Sequence, residues 1–539
     1  MDYQLTVPAI LRRAGALFGA TSIVSRRPDR SIHRSTYADL VRRARRLAVG
    51  LQALGIRPGD RVGTFCWNHS RHLEAYFGIP SGGPVVHTLN LRLHPDDLAY
   101  IVNHAGDRAI IVDDVLLPAF DKFRDRIGNA KVIVIGETGE HAPGDIDYEE
   151  LIEAADESQF EEVVTDEHQA AAMCYTSGTT GRPKGVVYSH RNVSLHALGL
   201  AVSCSLRESD VTLAVVPMFH ANAWGLPFGS ALVGAAQVLP GPHLDPASLL
   251  ELLQNEHVTY AAGVPTVWTG LLQALDANPG GYDLSSLREL LVGGSAAPQS
   301  MIRGFEERHG LTVVQAWGMT ETGPLGSIAR LPSRLSALSR DEQYASRVRQ
   351  GVPGPFIEIR ARGDNGLVPW DGESMGELEV RGPWVVSSYY RDEGADRFTD
   401  DGWLRTGDIV TIDADGCIQI KDRSKDLIKS GGEWISSVAI ESALMDHPAV
   451  LEAAVVAVQH PRWDERPLAI IVLRQGMSAS VEDLRSFLAP RFAKWWLPDA
   501  FEFIPGLPRT ATGKVVKHVL REQYRNRFTT QEGDGQAVG

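Results

Sequence analysis

The feature of this chain that most constrains its fold is an alternation of helical and strand patterns from the N-terminus to about residue 350. The segment 36–55 places Leu40, Ala44, Leu47 and Leu51 at helical spacing. Short apolar runs, of the kind that parallel sheets bury on both faces, recur between such segments. These runs are RVGTFC, RAIIVDD, AKVIVIG, VTLAVVP, VTYAAGVP and LRELLVGG. The alternation predicts an α/β architecture in which helices cover the sheets.

The pattern changes after about residue 350. The runs FIEIRARG, GELEVRGP and DIVTIDADGCIQIKDR alternate in polarity and turn on glycine, and Asp415-Gly416 predicts a hairpin. From about residue 426 the order is helix, strand, strand, helix, strand and helix, typical of a small α+β unit that folds alone. The predicted fold class is therefore α/β with α+β. A large N-terminal region has several subdomains, namely sheets flanked by helices and a small β-barrel-like part, and a small α+β C-terminal domain follows it.

Composition limits the partners and the location of the protein. The 539 residues carry 53 Lys and Arg against 67 Asp and Glu, a formal net charge of −14, so broad contact with nucleic acid or an anionic membrane is not expected. No run approaches the ~18 apolar residues of a membrane-spanning helix. The cysteines lie far apart without a CxxC pair, so neither a zinc site nor a disulfide framework is indicated. Pro8, Arg12 and Arg13 interrupt the N-terminal segment before the apolar core of a signal peptide develops. These features predict a cytoplasmic protein.

The segment 175–185, YTSGTTGRPKG, concentrates hydroxyls, glycines and one lysine after an apolar run. Glycine lets the backbone approach a ligand, and hydroxyls, backbone N–H groups and a lysine complement phosphate oxygens. Composition alone leaves a polar surface turn equally open. The segment is not a Walker loop, because Pro183 separates Gly181 from Lys184 and a glycine follows the lysine.

In its order of residues, this segment resembles the signature phosphate loop of the adenylate-forming superfamily, which includes acyl-CoA synthetases, firefly-type luciferases and the adenylation domains of peptide synthetases. Further blocks resemble the motifs of that superfamily, in the same order, across nearly the whole chain. They are VVPMFHANAW (215–224), VGGSAAP (292–298), QAWGMTET (315–322), LRTGD (404–408), DRSKDLIKSGGEW (422–434) and PRTATGK (508–514). The HANAW and SGGEWIS segments most resemble the medium- and long-chain fatty acyl-CoA synthetases and their close relatives.

The resemblance implies a reaction in two steps. A carboxylic acid and ATP form an acyl-adenylate and pyrophosphate, and the thiol of CoA then attacks to give an acyl-CoA and AMP. Lys514 resembles the mobile catalytic lysine, whose point charge bridges the carboxylate and the α-phosphate as negative charge shifts. The resemblance implies an ATP and AMP site of Thr176, Ser177, Gly178, Thr179, Thr180, Lys184, Gly294, Gln315, Ala316, Trp317, Thr320, Asp408, Arg423, Lys425, Lys429 and Trp434.

Several of these residues have implied roles that compete with ordinary structural ones. Thr176 and Glu321 are implied to hold Mg²⁺ as hard oxygen ligands, and they therefore belong to the catalytic set with Lys514. The ordinary alternative for Glu321 is a solvated carboxylate on a helix. Trp317 is implied to stack on adenine, although a tryptophan beside a strand end is often core. Asp408 is implied to accept both ribose hydroxyls, and taken alone it is equally typical of a β-turn.

The resemblance also implies an acyl site, formed by His220, Ala221, Trp224 and Gly294. Trp224 is implied to be a swinging gate over the acyl tunnel. We assign His220 to shape and positioning rather than to acid–base chemistry, because an isolated buried histidine is more often a hydrogen-bonded core residue.

The two half-reactions share one acyl pocket, and the superfamily rotates its C-terminal domain between them. Lys425 matches the hinge position, and Ser430, Gly431 and Gly432 match the lining of the pantetheine tunnel for CoA. Two residues depart from the common pattern, because Asp422 stands where glycine is frequent and Lys517 where arginine is common. The implied domains are 1–421, an N-terminal adenylation domain; 422–427, the hinge; 428–528, a mobile C-terminal domain; and 529–539, a disordered tail.

The sequence therefore predicts an ATP- and Mg²⁺-dependent acyl-CoA synthetase that prefers a medium- or long-chain fatty acid. A short thioether or aryl acid, such as 3-methylmercaptopropionate, is an alternative substrate. A carrier-loading adenylation enzyme is an alternative activity, and a non-catalytic binding protein is an alternative from another class. The expected partners are a small carboxylic acid, ATP and CoA, and the subgroup suggests a homodimer.

Overall fold

The computed structural model describes residues 2–136, 142–176, 182–430, 433–509 and 515–528. Several predicted site residues and the predicted tail, 529–539, lie outside these ranges. Those site residues are Ser177, Gly178, Thr179, Thr180, Gly431, Gly432 and Lys514. Among the described residues, no helix combines the length and the apolar character needed to cross a bilayer.

The helices begin where short polar side chains can cap them. Thr36 accepts a hydrogen bond from the backbone of Asp39, whose side chain in turn accepts one from the backbone of Thr36, and this capping box opens the helix predicted in segment 36–55. Gly55, at φ +83°, follows the end of that helix. The described α-helices are Val7–Phe18, Tyr37–Ala53, Ser70–Ser81, Pro95–Ala105, Leu117–Arg124, Tyr148–Ala154, His190–Ser203, Leu226–Val233, Pro246–Asn255, Pro265–Ala277, Gln299–His309, Arg340–Arg347, Ser437–Met445, Val481–Leu488 and Lys517–Gln523.

The largest sheet has nine strands within the described ranges. Their spatial order is Val352–Pro353, Leu325–Ile328, Val313–Gly318, Glu289–Val292, Tyr260–Gly263, Val211–Ala214, Ala236–Leu239, Ser22–Arg26 and Ile32–Thr36. Its central strands are parallel, and the pairs at both ends are antiparallel. Strands buried on both faces need continuous apolar sequence, which is why the runs VTLAVVP, VTYAAGVP and LRELLVGG lie here.

A second sheet has seven strands among the described residues. Their spatial order is Ile146–Asp147, Lys131–Ile135, Asp107–Asp113, Arg61–Phe65, Val85–Thr88, Ala170–Tyr175 and Gly185–Ser189. The last pair is antiparallel and the others are parallel. A hydrophobic core that includes Tyr76, Phe77 and Phe228 packs between elements of both sheets and holds them together.

Two smaller sheets follow, each five-stranded in the described part of the chain. The first is antiparallel, and the hairpin predicted at Asp415-Gly416 joins two of its strands. Its spatial order is Gly366–Leu367, Glu358–Gly363, Gly376–Arg381, Leu404–Ile412 and Ile418–Arg423. The second sheet contains Glu433–Ile435, Ile428–Ser430, Asp464–Leu473, Val450–His460 and Ala500–Phe503. The predicted fold class, α/β with α+β, is confirmed.

Candidate active site

The predicted phosphate loop connects two antiparallel strands, Ala170–Tyr175 and Gly185–Ser189. At its base, the backbone N–H of Thr176 donates to the carbonyl of Lys184 at 2.9 Å. The backbone N–H of Lys184 donates in return to Thr176 Oγ1 at 3.2 Å. These two hydrogen bonds hold the first and last polar residues of the loop side by side at the end of a buried sheet.

Glu321 lies in a short turn, Thr320–Thr322, just after the strand Val313–Gly318 of the largest sheet. Its side chain is only 6% exposed. Among the described residues, no Lys, Arg or His forms an ion pair with it. The hydroxyl of Tyr188 donates to the carbonyl of Thr320 at 2.6 Å and fixes the turn. Because buried charges are normally paired or bound to a metal, this carboxylate fits a cation site.

Tyr389 joins these two parts of the site, and no motif in the sequence pointed to it. Its hydroxyl donates to Glu321 Oε1 at 2.5 Å. The ammonium group of Lys184 lies 5.2 Å from the centre of its ring, which is within the range of a cation–π interaction. Burial and the neighbouring Glu321 carboxylate raise the pKa of Tyr389 well above its ordinary value, so the hydroxyl remains a donor.

Trp317, Asp408 and Arg423 form a second group on the wall of a large cavity. The indole N–H of Trp317 donates to Asp408 Oδ2 at 2.9 Å. Arg423 Nε lies 2.7 Å from Asp408 Oδ1, yet that oxygen accepts no hydrogen bond of normal geometry from the described residues. Asp408 is 1% exposed. A buried carboxylate whose second oxygen accepts no hydrogen bond of normal geometry is well suited to accept one from a ligand hydroxyl.

The cavity has a volume of about 580 Å³, which is within the usual range of ligand pockets. Gly294, Gln315 and Ala316, for which the resemblance implies an adenine pocket, also line this cavity. The Gln315 side chain is fully engaged with the backbone, since it accepts from Ala297 N at 2.5 Å and donates to the carbonyls of Val348 and Arg349. Gln315 therefore shapes the cavity and has little capacity left to bind a ligand.

Two of the predicted acyl-site residues, Ala221 and Trp224, lie on an unusual backbone segment. Ala221, Asn222, Ala223 and Trp224 all have left-handed φ angles, between 41° and 56°. Each such residue costs roughly 1–2 kcal/mol, and the buried Asn222 is held by a hydrogen bond from Cys174 Sγ at 3.3 Å. His220, half-buried, precedes this left-handed segment.

The Trp224 ring packs directly against the glycines of the VGGSAAP block. A Cβ at Gly293 would lie 2.9 Å from the ring, and one at Gly294 would lie 3.8 Å from it. A larger residue at position 293 would therefore displace Trp224. Gly294 joins the two predicted sites, because it lies beside Trp224 and also lines the cavity of Trp317 and Asp408.

Lys429 and Trp434 are cross-strand partners on the hairpin formed by Ile428–Ser430 and Glu433–Ile435. The Lys429 ammonium lies 5.7 Å from the Trp434 ring, and the ring is 43% exposed. Neither side chain lines the cavity of Trp317 and Asp408 in this arrangement. Ser430, by contrast, is buried and accepts a hydrogen bond from Arg466 Nη1 at 2.9 Å.

The two departures from the superfamily pattern, Asp422 and Lys517, are joined through Ser437. Ser437 donates its backbone N–H and its hydroxyl to Asp422 Oδ2, both at 2.6 Å, and accepts from Lys517 Nζ at 2.6 Å. Lys517 also pairs with Glu441 at 2.7 Å. Burial raises the pKa of Glu441 to about 7. The cluster ties the strand Ile418–Arg423 to the helices on the far side of the predicted hinge.

A second set of metal-ligand side chains occurs away from the site, at Cys66, His69 and Asp113. These groups already have partners within the protein. Asp113 accepts from Trp67 N at 2.8 Å and contacts His69 Nε2 at 2.7 Å, and His69 Nδ1 caps the helix Ser70–Ser81. Cys66 also has a partner, since its Sγ donates to the Ile111 carbonyl at 3.5 Å, so hydrogen bonds within the protein account for all three side chains.

The fold brings the base of the predicted phosphate loop close to a buried carboxylate, beside a cavity lined by Trp317 and Asp408. This arrangement is the one expected of a nucleotide-binding enzyme. The AMP-binding enzyme family model matches residues 13–390, and the model of the AMP-binding enzyme C-terminal domain matches residues 439–514. The chain belongs to this AMP-binding enzyme family, the adenylate-forming superfamily that its motifs predicted.

Similar proteins of known activity align over nearly the whole chain. A long-chain-fatty-acid–CoA ligase of Thermus thermophilus is 50% identical, with 98% of this chain and 97% of that protein covered. A 3-methylmercaptopropionyl-CoA ligase of Ruegeria lacuscaerulensis is 44% identical, with 98% and 99% covered. The crystal structure of an anthranilate CoA ligase with anthranoyl-AMP superposes with a TM-score of 0.87 at 27% identity, covering 98% of this chain and 99% of that one.

Proposed function

We propose that this protein is an AMP-forming acyl-CoA ligase that activates a medium- or long-chain fatty acid. The acid and ATP form an acyl-adenylate and pyrophosphate, and CoA then displaces AMP to give the acyl-CoA. The observation that carries the proposal is the position of Gly294, which lies beside the Trp224 ring of the predicted acyl site and lines the cavity of Trp317 and Asp408. A carboxylate and a nucleotide bound on either side of this glycine would meet there.

The chemical difficulty of the first step is that both reactants are anions. In our proposal Lys184 screens the terminal phosphates, Asp408 and Arg423 hold the ribose, and Lys514 bridges the acid and the α-phosphate. Positioned charges of this kind stabilise the transition state because they need not reorganise during the reaction. Holding the carboxylate in line with the α-phosphate contributes further through orientation.

Mg²⁺ is part of the proposal, with Glu321 and Thr176 as the residues that would hold it. Both offer hard oxygen atoms, which this ion prefers. The buried Glu321 carboxylate has no cationic partner among the described side chains, which fits the site of a divalent cation. When bound, the ion would neutralise phosphate charge.

Further parts of the proposal rest on the family resemblance. The C-terminal unit turns about Lys425 between half-reactions, Ser430 with Gly431 and Gly432 lines the path of the CoA thiol, and Trp224 gates the acyl tunnel. Lys429 and Trp434, exposed in this arrangement, would approach the adenylate after the turn. A homodimer and a cytoplasmic location complete the proposal.

The proposed substrate preference is tested by assaying pyrophosphate release with straight-chain acids of increasing length. Each buried methylene is worth about 0.8 kcal/mol, so kcat/KM should rise by about fourfold per carbon until the tunnel is full. We expect the optimum among medium or long chains. A sharp optimum at three or four carbons, or a preference for 3-methylmercaptopropionate, would contradict the fatty-acid assignment. Acyl-CoA formation with CoA alone would separate this activity from carrier loading.

Asp408→Asn should raise the KM for ATP by about 10- to 100-fold, since hydrogen bonds to a charged group contribute roughly 1.5–3 kcal/mol. Asparagine keeps the size of the side chain, and its oxygen can still accept from Trp317. We expect kcat at saturating ATP to change much less. Pyrophosphate exchange at varied ATP measures both quantities. The matched control is Asp415→Asn, on an exposed hairpin turn of the same sheet; equal KM values for the two variants would refute the ribose role.

A further inference from the structure

Residues 386–394, which we call the strap, cross the phosphate side of the site. Near one end, the backbone N–H of Val386 donates to the carbonyl of Glu321 at 3.0 Å. At the other end, Gly394 has φ +75°, and a Cβ there would lie 2.4 Å from Lys184 Nζ. The positive φ favours glycine here, and a side chain at this position would push the lysine ammonium aside. The strap therefore contacts both Glu321 and Lys184 through its backbone.

Tyr389 lies between these two backbone contacts and makes the side-chain contacts. It is 4% exposed, with its hydroxyl on Glu321 and its ring facing the Lys184 ammonium. Phe398 packs edge-on against the ring at 5.8 Å and limits its movement. One side chain thus reaches a carboxylate of the largest sheet and a lysine of the seven-stranded sheet.

The strap is also linked to the residue that leads into the phosphate loop. His104 Nε2 lies 3.3 Å from Glu393 Oε1, and its Nδ1 is hydrogen-bonded to the Tyr175 hydroxyl at 2.7 Å. Tyr175 directly precedes Thr176. The strap is thereby held at a fixed place relative to both ends of the loop, so Tyr389 meets Glu321 and Lys184 in a defined geometry.

We propose that Tyr389 is a positioning residue for the ATP site, with its hydroxyl orienting Glu321 toward Mg²⁺ and its ring directing Lys184 toward the phosphates. This inference rests on the proposed function. A hydrogen bond to one carboxylate oxygen leaves the other to face the cation, and partners of metal ligands typically contribute 10- to 100-fold to affinity or activity. A cation over an aromatic face keeps its charge while it loses conformational freedom.

The test compares Tyr389→Phe with Tyr389→Leu in pyrophosphate exchange at varied Mg²⁺ and varied ATP. Phenylalanine removes only the hydroxyl, so the Mg²⁺ concentration for half-maximal rate should rise by about 10-fold, with the KM for ATP at saturating Mg²⁺ nearly unchanged. Leucine removes the ring as well. In Tyr389→Leu the KM for ATP at saturating Mg²⁺ should therefore also rise, by roughly threefold to tenfold.

The matched control is Tyr344→Phe, which should leave both quantities at their wild-type values. Tyr344 is equally buried at 4% exposure and also lies beneath a cation, Arg303 at 4.6 Å, but it packs in a hydrophobic core that does not include Tyr389. Thermal unfolding of each variant confirms that it is folded. An unchanged Mg²⁺ requirement in Tyr389→Phe, or an equal loss at every Mg²⁺ concentration, would overturn the proposal.

A double mutant keeps the test informative if Tyr389→Phe is less stable than the wild type. In a Glu321→Gln background the hydroxyl no longer positions a metal ligand, so adding Tyr389→Phe should cause no further change in Mg²⁺ dependence. Additive effects would show that the hydroxyl acts elsewhere and would refute the inference. If the wild-type protein shows no exchange with any acid, the proposed function itself fails, which is a distinct outcome.

Discussion

Lys514→Ala is expected to lose about 100- to 1,000-fold in the rate of adenylation while the protein remains folded, because a positioned charge at the reacting phosphate contributes on that scale. Lys514 lies outside the described residues, but the chain on either side of it is described. Arg509 and Val515 form an antiparallel bridge, and both line the cavity that contains Trp317 and Asp408. Arg509 and Val515, the described residues that flank 510–514, therefore both lie at this cavity. The measurement is pyrophosphate release with ATP and a fatty acid.

The control for this variant is Lys494→Ala, which removes an exposed lysine elsewhere in the C-terminal unit and should retain the wild-type rate. A second assay supplies preformed acyl-adenylate with CoA, a step in which Lys514 has no proposed role. We expect Lys514→Ala to carry out that step at close to the wild-type rate. Pyrophosphate release near the wild-type rate would show that another residue is the catalyst.

Local patterns predicted some of the elements that surround the site. The apolar run AAAMCY becomes the strand Ala170–Tyr175, but its antiparallel partner, Gly185–Ser189, was not among the predicted runs. The hairpin at Asp415-Gly416 was predicted correctly, because the tendency to form such a turn depends only on adjacent residues. Strand order, by contrast, depends on packing between distant segments. The pairing of Ser22–Arg26 with Ala236–Leu239 has no local signal.

The residues that the sequence did not identify act through long-range contacts. Tyr389 meets Glu321 across 68 positions of the chain, and a tyrosine between strands has no distinguishing spacing. Gln315 was predicted to line the adenine pocket, and it does line the cavity, but its amide is engaged with backbone groups that only the fold brings near. Asp422 and Lys517 were noted separately as departures from the superfamily pattern. Their link through Ser437 depends on how the C-terminal helices pack against the strand Ile418–Arg423.

Glu321→Gln is expected to reduce adenylation by about 100- to 1,000-fold, because charge neutralisation by a bound cation is worth several kcal/mol in phosphoryl chemistry. Glutamine has nearly the same shape, and its oxygen can still accept the Tyr389 hydroxyl. The variant loses only the negative charge, which is buried and lacks a cationic partner among the described side chains. Removing such a charge should leave the Tm of the ligand-free protein unchanged or slightly higher. The gain in Tm on adding ATP with Mg²⁺ should disappear.

These two readouts separate a metal ligand from a structural glutamate. If Glu321 is structural, the Glu321→Gln variant should lose both Tm and activity. If Glu321 is a metal ligand, the variant should lose only activity and the Mg²⁺-dependent gain in Tm, because the carboxylate is costly to bury until the cation binds. Glu208→Gln, at an exposed position, is the control and should behave as the wild type in both assays. Retention of Mg²⁺-dependent stabilisation in Glu321→Gln would mean that other oxygen atoms hold the cation.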